Sequence, residues 1–154
     1  KINNIEKNVQ TLFKMNLLDI SDEELSIPPA KFETELTLPS SDFQKIIRDL
    51  SNISERLEIK SVGSELIFKC VGPFAKCEIR RSESGGIMEF TQKQDDSMVI
   101  QGEFSLKNLG YFIKCTNLCN SIEMHLENDL PLVVKYSVAS LGEIKLCLAP
   151  LPSS

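Results

Sequence analysis

Apolar and polar residues alternate along much of this chain, and twice the alternation gives way to a helical stripe. Over 9–17, Val9, Thr11, Phe13, Met15 and Leu17 share one face, opposite Gln10, Lys14 and Asn16, which predicts a strand. An acidic stretch from Asp19 to Ala30 follows, without sustained periodicity and with Pro28-Pro29 near its end. It reads as an extended connector, although Leu25 and Ile27 are apolar where a solvated linker needs nothing apolar. From Phe32, the residues Phe32, Thr34, Leu36 and Leu38 alternate with Glu33, Glu35 and Thr37, a strand with one wet face. Pro39-Ser40-Ser41-Asp42 offers a helix start with Ser or Asp as the cap. Phe43, Ile46, Ile47 and Leu50 then fall at i, i+3, i+4 and i+7, one buried stripe on a helix ending near Asn52. Four short strands are expected at about 55–61, 64–70, 74–81 and 86–91, with turns at Val62-Gly63-Ser64, Gly72-Pro73 and Ser84-Gly85-Gly86.

The plan then repeats. Met98, Ile100, Gly102 and Phe104 line one face of a strand, and Ser105 can cap a second helix with Leu106, Leu109, Phe112 and Ile113 inward. Strands at about 120–127, 130–137 and 143–149 close the second half. Strand, helix and strands, twice over, form a repeat of pattern rather than of identity. The fold class is α+β, with both helices packed on one face of antiparallel sheet.

Composition narrows the picture without changing it. The 154 residues, 42% hydrophobic and 25% charged, suit one folded domain and exclude a disordered or low-complexity chain. No apolar run approaches the ~18–20 residues of a membrane span. Lys1-Ile2-Asn3-Asn4 has no signal-peptide character, and the missing initiator Met suggests a fragment or a trimmed chain. Five cysteines without framework spacing argue for free thiols in cytosol or nucleus. Net charge is −5, so any contact with nucleic acid must come from a local patch.

Enzyme signals are weak. His125 is the only histidine, and alternation turns it outward beside Glu123 and Glu127, as a solvated strand residue rather than a base. Cys115 and Cys119 lack metal-site spacing, and Cys70 and Cys77 have no partner pair, so no metal or other cofactor is expected. Gly85-Gly86 lacks the Lys-Ser/Thr of a phosphate loop, and Asp95-Asp96 reads as turn chemistry.

The helices carry more. At ~100° per residue, Lys45, Arg48 and Asn52 lie opposite the apolar stripe of the first helix, flanked by Asp42 and Asp49. Lys107, Tyr111 and Lys114 lie opposite that of the second, with no acid between them. Solvent faces of helices are usually charged, and that explanation stands beside a sharper one: a surface that tracks a polyanion through its phosphates without reading bases.

Four collinear pieces now matter: Leu25-Ser26-Ile27-Pro28, Leu38-Pro39-Ser40-Ser41-Asp42-Phe43 leading into Ile47-Arg48-Asp49-Leu50-Ser51, Asp129-Leu130-Pro131-Leu132-Val133-Val134-Lys135-Tyr136, and Leu148-Ala149-Pro150. Together they resemble the proliferating cell nuclear antigen (PCNA) family, the eukaryotic-type DNA sliding clamps, in a viral or protist version. The resemblance covers the C-terminal part of such a clamp. It implies that 1–18 holds the last strand of the first domain, 19–31 the interdomain connector and 32–154 the C-terminal DNA-clamp domain, with no N-terminal domain present.

What the resemblance implies is a ring of identical subunits, expected to be a trimer, encircling double-stranded DNA without sequence specificity. It would be no enzyme but a processivity factor for DNA polymerase and a docking platform for replication and repair proteins, opened by a clamp loader, working in the nucleus or at a viral replication site and away from membranes. Lys7, Lys45, Arg48, Lys107 and Lys114 would face the DNA. Subunits would join strand 9–17, through Val9, Thr11, Phe13 and Met15, to strand 74–81, through Phe74, Lys76, Cys77, Ile79 and Arg81. Client peptides would seat on Leu25, Ile27, Pro28, Pro131, Cys147, Ala149 and Pro150. The family usually has an aromatic at the position of Cys147. Two other readings stand beside this one: a subunit of a checkpoint-type heteromeric clamp and, from another class, a small hydrolase using His125 with a carboxylate.

Overall fold

The computed structural model describes residues 2–4, 9–11, 31–93, 95 and 97–152. The chain divides into two compact units, Lys1–Ala30 and Lys31–Ser154. In the first unit, β1 (Ile2–Asn4) pairs antiparallel with β2 (Val9–Thr11), Ile2 opposite Thr11. The strand expected over 9–17 is thus described only to Thr11. Phe13, Met15, Lys7, Leu25, Ile27 and Pro28 lie outside the described residues.

The second unit is built from two similar halves. The first runs β3 (Thr34–Pro39), α1 (Ser40–Ser51), β4 (Arg56–Val62), β5 (Glu65–Val71) and β6 (Lys76–Ser82). After a short β7 (Glu89–Gln92), the second runs β8 (Val99–Ser105), α2 (Leu106–Phe112), β9 (Ser121–Leu126), β10 (Leu132–Val138) and β11 (Gly142–Leu148). The halves are interlaced. β8 joins β4 in a sheet of order β6-β5-β4-β8, and β3 joins β9 in a sheet of order β11-β10-β9-β3-β7. Each half therefore sends its first strand into the sheet built by the other half.

Period-two alternation explains the strands: Thr34, Leu36 and Leu38 of β3 are all buried, and so are Leu57 and Ile59 of β4. The helical stripes Phe43, Ile46, Ile47, Leu50 and Leu106, Leu109, Phe112, Ile113 are buried in one core shared with Phe68, Met124 and Tyr136. Burying side chains of this size contributes about 1.5–3 kcal/mol each before chain entropy is set against it.

Several expectations need correction. Neither Ser nor Asp caps α1: the cap position is Pro39, without a side-chain bond. Ser40 is buried instead, and its Oγ donates to the Cys119 carbonyl at 2.6 Å, tying the start of α1 to the exit of the second helical segment. Ser105 does cap α2, its Oγ accepting from the Asn108 N–H at 3.3 Å. The α-helical part of that segment stops at Phe112 and tightens into a 3₁₀ helix over Ile113–Leu118. Met98 is exposed, because β8 begins one residue later. Phe74 and Ala75 precede β6 in a turn closed by Gly72 N–H to Ala75 O at 2.8 Å. Gly72 is needed there, since a Cβ would collide with the Ile53 carbonyl at the exit of α1.

Candidate functional site

Each helix turns its apolar stripe to the strands and its cations to solvent: Lys45, Arg48, Lys107 and Lys114 are all exposed. Their pairing distinguishes them from the cations on the strands. Arg56 pairs with Glu103 at 2.9 Å, Lys60 with Glu58 at 3.2 Å, Lys69 with Glu58 at 4.0 Å, and Arg80 with Glu78 at 2.6 Å and Glu65 at 3.2 Å. Arg81 grips Asp42 through two bonds of 2.8 Å, and Lys135 lies 3.2 Å from Glu123 and 3.5 Å from Glu143. Among the described residues, none of the four helical cations has an acidic partner; on the strands only Lys76 and Lys145 share that condition. An acidic chain thus neutralises most of its strand cations internally and leaves its helical layer positive.

Lys114 comes from the 3₁₀ segment, not from α2. Residues three apart are neighbours on a helix surface, and the Lys114 ammonium lies 5.0 Å from the centroid of the Tyr111 ring. Tyr111, itself exposed, therefore orients one of the four cations, a role that its place on the outer face did not reveal. Beneath, Tyr136 of β10 donates its hydroxyl to the Phe112 carbonyl at 3.1 Å and pins the end of α2. Burial, with Cys115 adding to it, pushes the Tyr136 phenol up to about 12. The unfolded chain would lose this proton near pH ~10, while the native state keeps it. Stability is therefore intact below pH ~10, falls as the pH climbs and levels off only above 12, a loss of roughly 2–3 kcal/mol. In a Tyr111→Phe variant, absorbance titration of the one remaining tyrosine should give a midpoint near 12 in the folded state.

His125 is not solvated. It is 8% exposed on the outer side of β9, edge-on to Phe32 at 5.5 Å between ring centroids. Its Nδ1 is 3.1 Å from Glu35 and its Nε2 3.6 Å from Glu123. Phe32, just beyond the end of the β3–β9 ladder, supplies the cover that alternation along β9 alone could not reveal.

β6 is an outer strand of its sheet, and β11 of the other. Because Gly72 bonds Ala75, residues 77, 79 and 81 bond inward to β5, and the backbone groups of Lys76, Glu78 and Arg80 face the open edge. Phe74 stands at the mouth of this edge with its side chain 100% exposed, and Val71 beside it is 56% exposed. Cys77 and Ile79 pack inward against the core, and Arg81 is committed to Asp42, which pushes its guanidinium above the ordinary value.

Of the peptide-seat residues, Cys147 lies opposite Val133 on β11, and continuing that register sets Ala149 across from Pro131. Pro150 leads into a tail whose Leu151 N–H bonds the Glu103 carbonyl at 2.7 Å, alongside the outer edge of β8. An open cleft of about 860 Å³ lies there, lined among others by Gln101, Glu103, Asn128, Asp129, Pro150 and Leu151. Pro131, Cys147 and Ala149 are not among its walls.

Residues 26–151 match the family model "Proliferating cell nuclear antigen, C-terminal domain". The chain belongs to the PCNA family. A probable DNA polymerase sliding clamp of Acanthamoeba polyphaga mimivirus is 34% identical over 148 residues, covering 96% of this chain and 31% of that protein. Probable DNA polymerase sliding clamp 1 of Paramecium bursaria Chlorella virus 1 is 36% identical over 158 aligned positions, covering 99% of this chain and 58% of that protein. The chain therefore spans less than two thirds of either relative. The crystal structure of the PCNA of Entamoeba histolytica superposes with a TM-score of 0.76 at 24% identity, covering 91% of this chain and 54% of that one. This likeness establishes the PCNA-type fold: antiparallel sheets carrying two helices.

Proposed function

We propose that this chain is the C-terminal part of a DNA sliding clamp subunit, a non-enzymatic ring component that holds DNA polymerase on duplex DNA. In this reading 1–18 closes the first domain, 19–31 is the connector, and 32–154 is the second domain. The observation that carries it is the helical layer, where Lys45, Arg48, Lys107 and Lys114 have no acidic partner among the described residues while most strand cations are neutralised. Side chains that meet phosphates singly from a smooth helical surface gain affinity without choosing a sequence, and such interactions break and reform cheaply as the duplex slides past. The net charge of −5 repels DNA from the rest of the surface. Membership of the PCNA family and the clamp names of both viral relatives support the same conclusion.

The partners follow from this reading: a ring of identical subunits, expected to be trimeric, joined through the open edge of β6; a loader to open it; and polymerase or repair clients held by short apolar peptides near Pro131, Cys147, Ala149 and Pro150. Its place of work is the nucleus or a viral replication site. The reading is tested with the full-length protein loaded on nicked circular plasmid. Retention should persist on the circle and vanish when one restriction cut supplies ends. Equal retention on circular and linear DNA would refute topological linkage.

A further inference from the structure

All five cysteines are free thiols, but two of them face each other: the register of β5 and β6 sets Cys70 directly opposite Cys77. The 72–75 turn bond makes 70/77 a pair of the hydrogen-bonded kind, for which Cα atoms lie ~5.5 Å apart. A disulfide spans Cα separations of ~4.4–6.8 Å. Both side chains lie on the face turned to the core, Cys70 buried and Cys77 half-buried. Burial, and after it the neighbouring Cys77, push the Cys70 thiol above its ordinary value. No comparable partner faces the other three. Cys115 and Cys119 lie in and just beyond the 3₁₀ segment, where Cys119 donates its thiol to the Ser121 carbonyl at 3.0 Å, and Cys147 is opposite Val133.

We propose that Cys70 and Cys77 form a reversible redox pair that closes to a disulfide under hydrogen peroxide and staples β6 to β5. Cys77, the more accessible, attacks one peroxide oxygen as its thiolate; the O–O bond breaks, hydroxide leaves and takes up a proton, and Cys77 becomes a sulfenic acid. The Cys70 sulfur then forms the S–S bond as the S–O bond breaks, its proton leaving with the departing oxygen as water. Two thiols and one peroxide give one disulfide and two waters. Directly opposed Cβ atoms of a hydrogen-bonded pair sit toward the upper end of ~4.5–5.5 Å, whereas a relaxed disulfide wants ~3.5–4.5 Å, so the strands must draw together by about 1–2 Å. β6 can do so because it is the outer strand. A bond closed under strain is readily reduced, so the staple answers to oxidant rather than standing permanently.

The assignment is independent of the clamp reading and is tested on the intact protein. After brief peroxide treatment and alkylation of remaining thiols, the mass should show three alkyl groups added and two hydrogens lost, where the untreated protein takes up five alkyl groups. Trypsin without reductant should then release residues 70–76 joined to 77–80. A dithiol should reverse the change completely, and Cys77→Ser or Cys70→Ala should abolish it while thiol counts at Cys115, Cys119 and Cys147 stay as in the parent. Mapping the bond to any other pair, or finding Cys77 carried on to sulfinic acid with Cys70 still reduced, would overturn the proposal.

Discussion

Replacing Lys45, Arg48, Lys107 and Lys114 together by glutamine in the full-length protein should flatten the salt dependence of DNA binding. Each phosphate left without its cation takes about 0.9 from the slope of log K against log salt, so four per subunit take about 3–4. At physiological salt that amounts to roughly 10²–10³-fold in affinity, shrinking toward parity near ~1 M salt. Folding should be indifferent. None of the four has an acidic partner among the described residues and all are exposed, so apart from the Lys114–Tyr111 contact nothing is lost, and thermal unfolding should move by no more than about 1 kcal/mol equivalent. An unchanged slope in a variant that still binds would place the DNA elsewhere. The same substitutions at Lys60, Lys69 and Lys135, already neutralised by Glu58, Glu123 and Glu143, should leave the slope nearly intact.

Phe74→Ala should loosen the assembled ring without destabilising the subunit. A wholly exposed phenylalanine contributes little to its own fold. Buried against a neighbour, it yields about 2–3 kcal/mol, which is roughly 30–150-fold in the association constant per joint. Its position at the mouth of an open strand edge gives it that neighbour, because an unpaired edge recruits another strand. Sedimentation of the full-length variant across a dilution series should show dissociation at correspondingly higher concentration, with an unfolding midpoint equal to the parent's. Undiminished association would remove the β6 edge from the joint.

Much of this architecture is legible in the residues alone. Period-two and period-3.6 patterns locate β3, α1, β4, β8 and α2 to within a residue or two because their burial is one-sided. Local pattern fails where a distant segment decides. Ser40 looks like a cap, yet its hydroxyl is claimed by Cys119, far along the chain. His125 looks solvated until Phe32 and Glu35 close over it. The stacking of Lys114 on Tyr111 follows from their i, i+3 spacing, but the change of helix type at Ile113 is one that no pattern of apolar residues signals. The cationic faces are readable from helical spacing; their lack of acidic partners is not, since pairing depends on how strands align. Cys70 and Cys77 look unrelated seven residues apart and become opposite only through the hairpin register.

The exchange of leading strands between the two halves has a mechanical corollary. Neither β3 with its helix nor β8 with its helix can peel away alone, because withdrawing either one strips a ribbon from the opposite sheet. Unfolding of Lys31–Ser154 is therefore all-or-none, and its formation must wait for strands remote in the chain to meet, which makes it slow. Load applied to one half is thus borne by both.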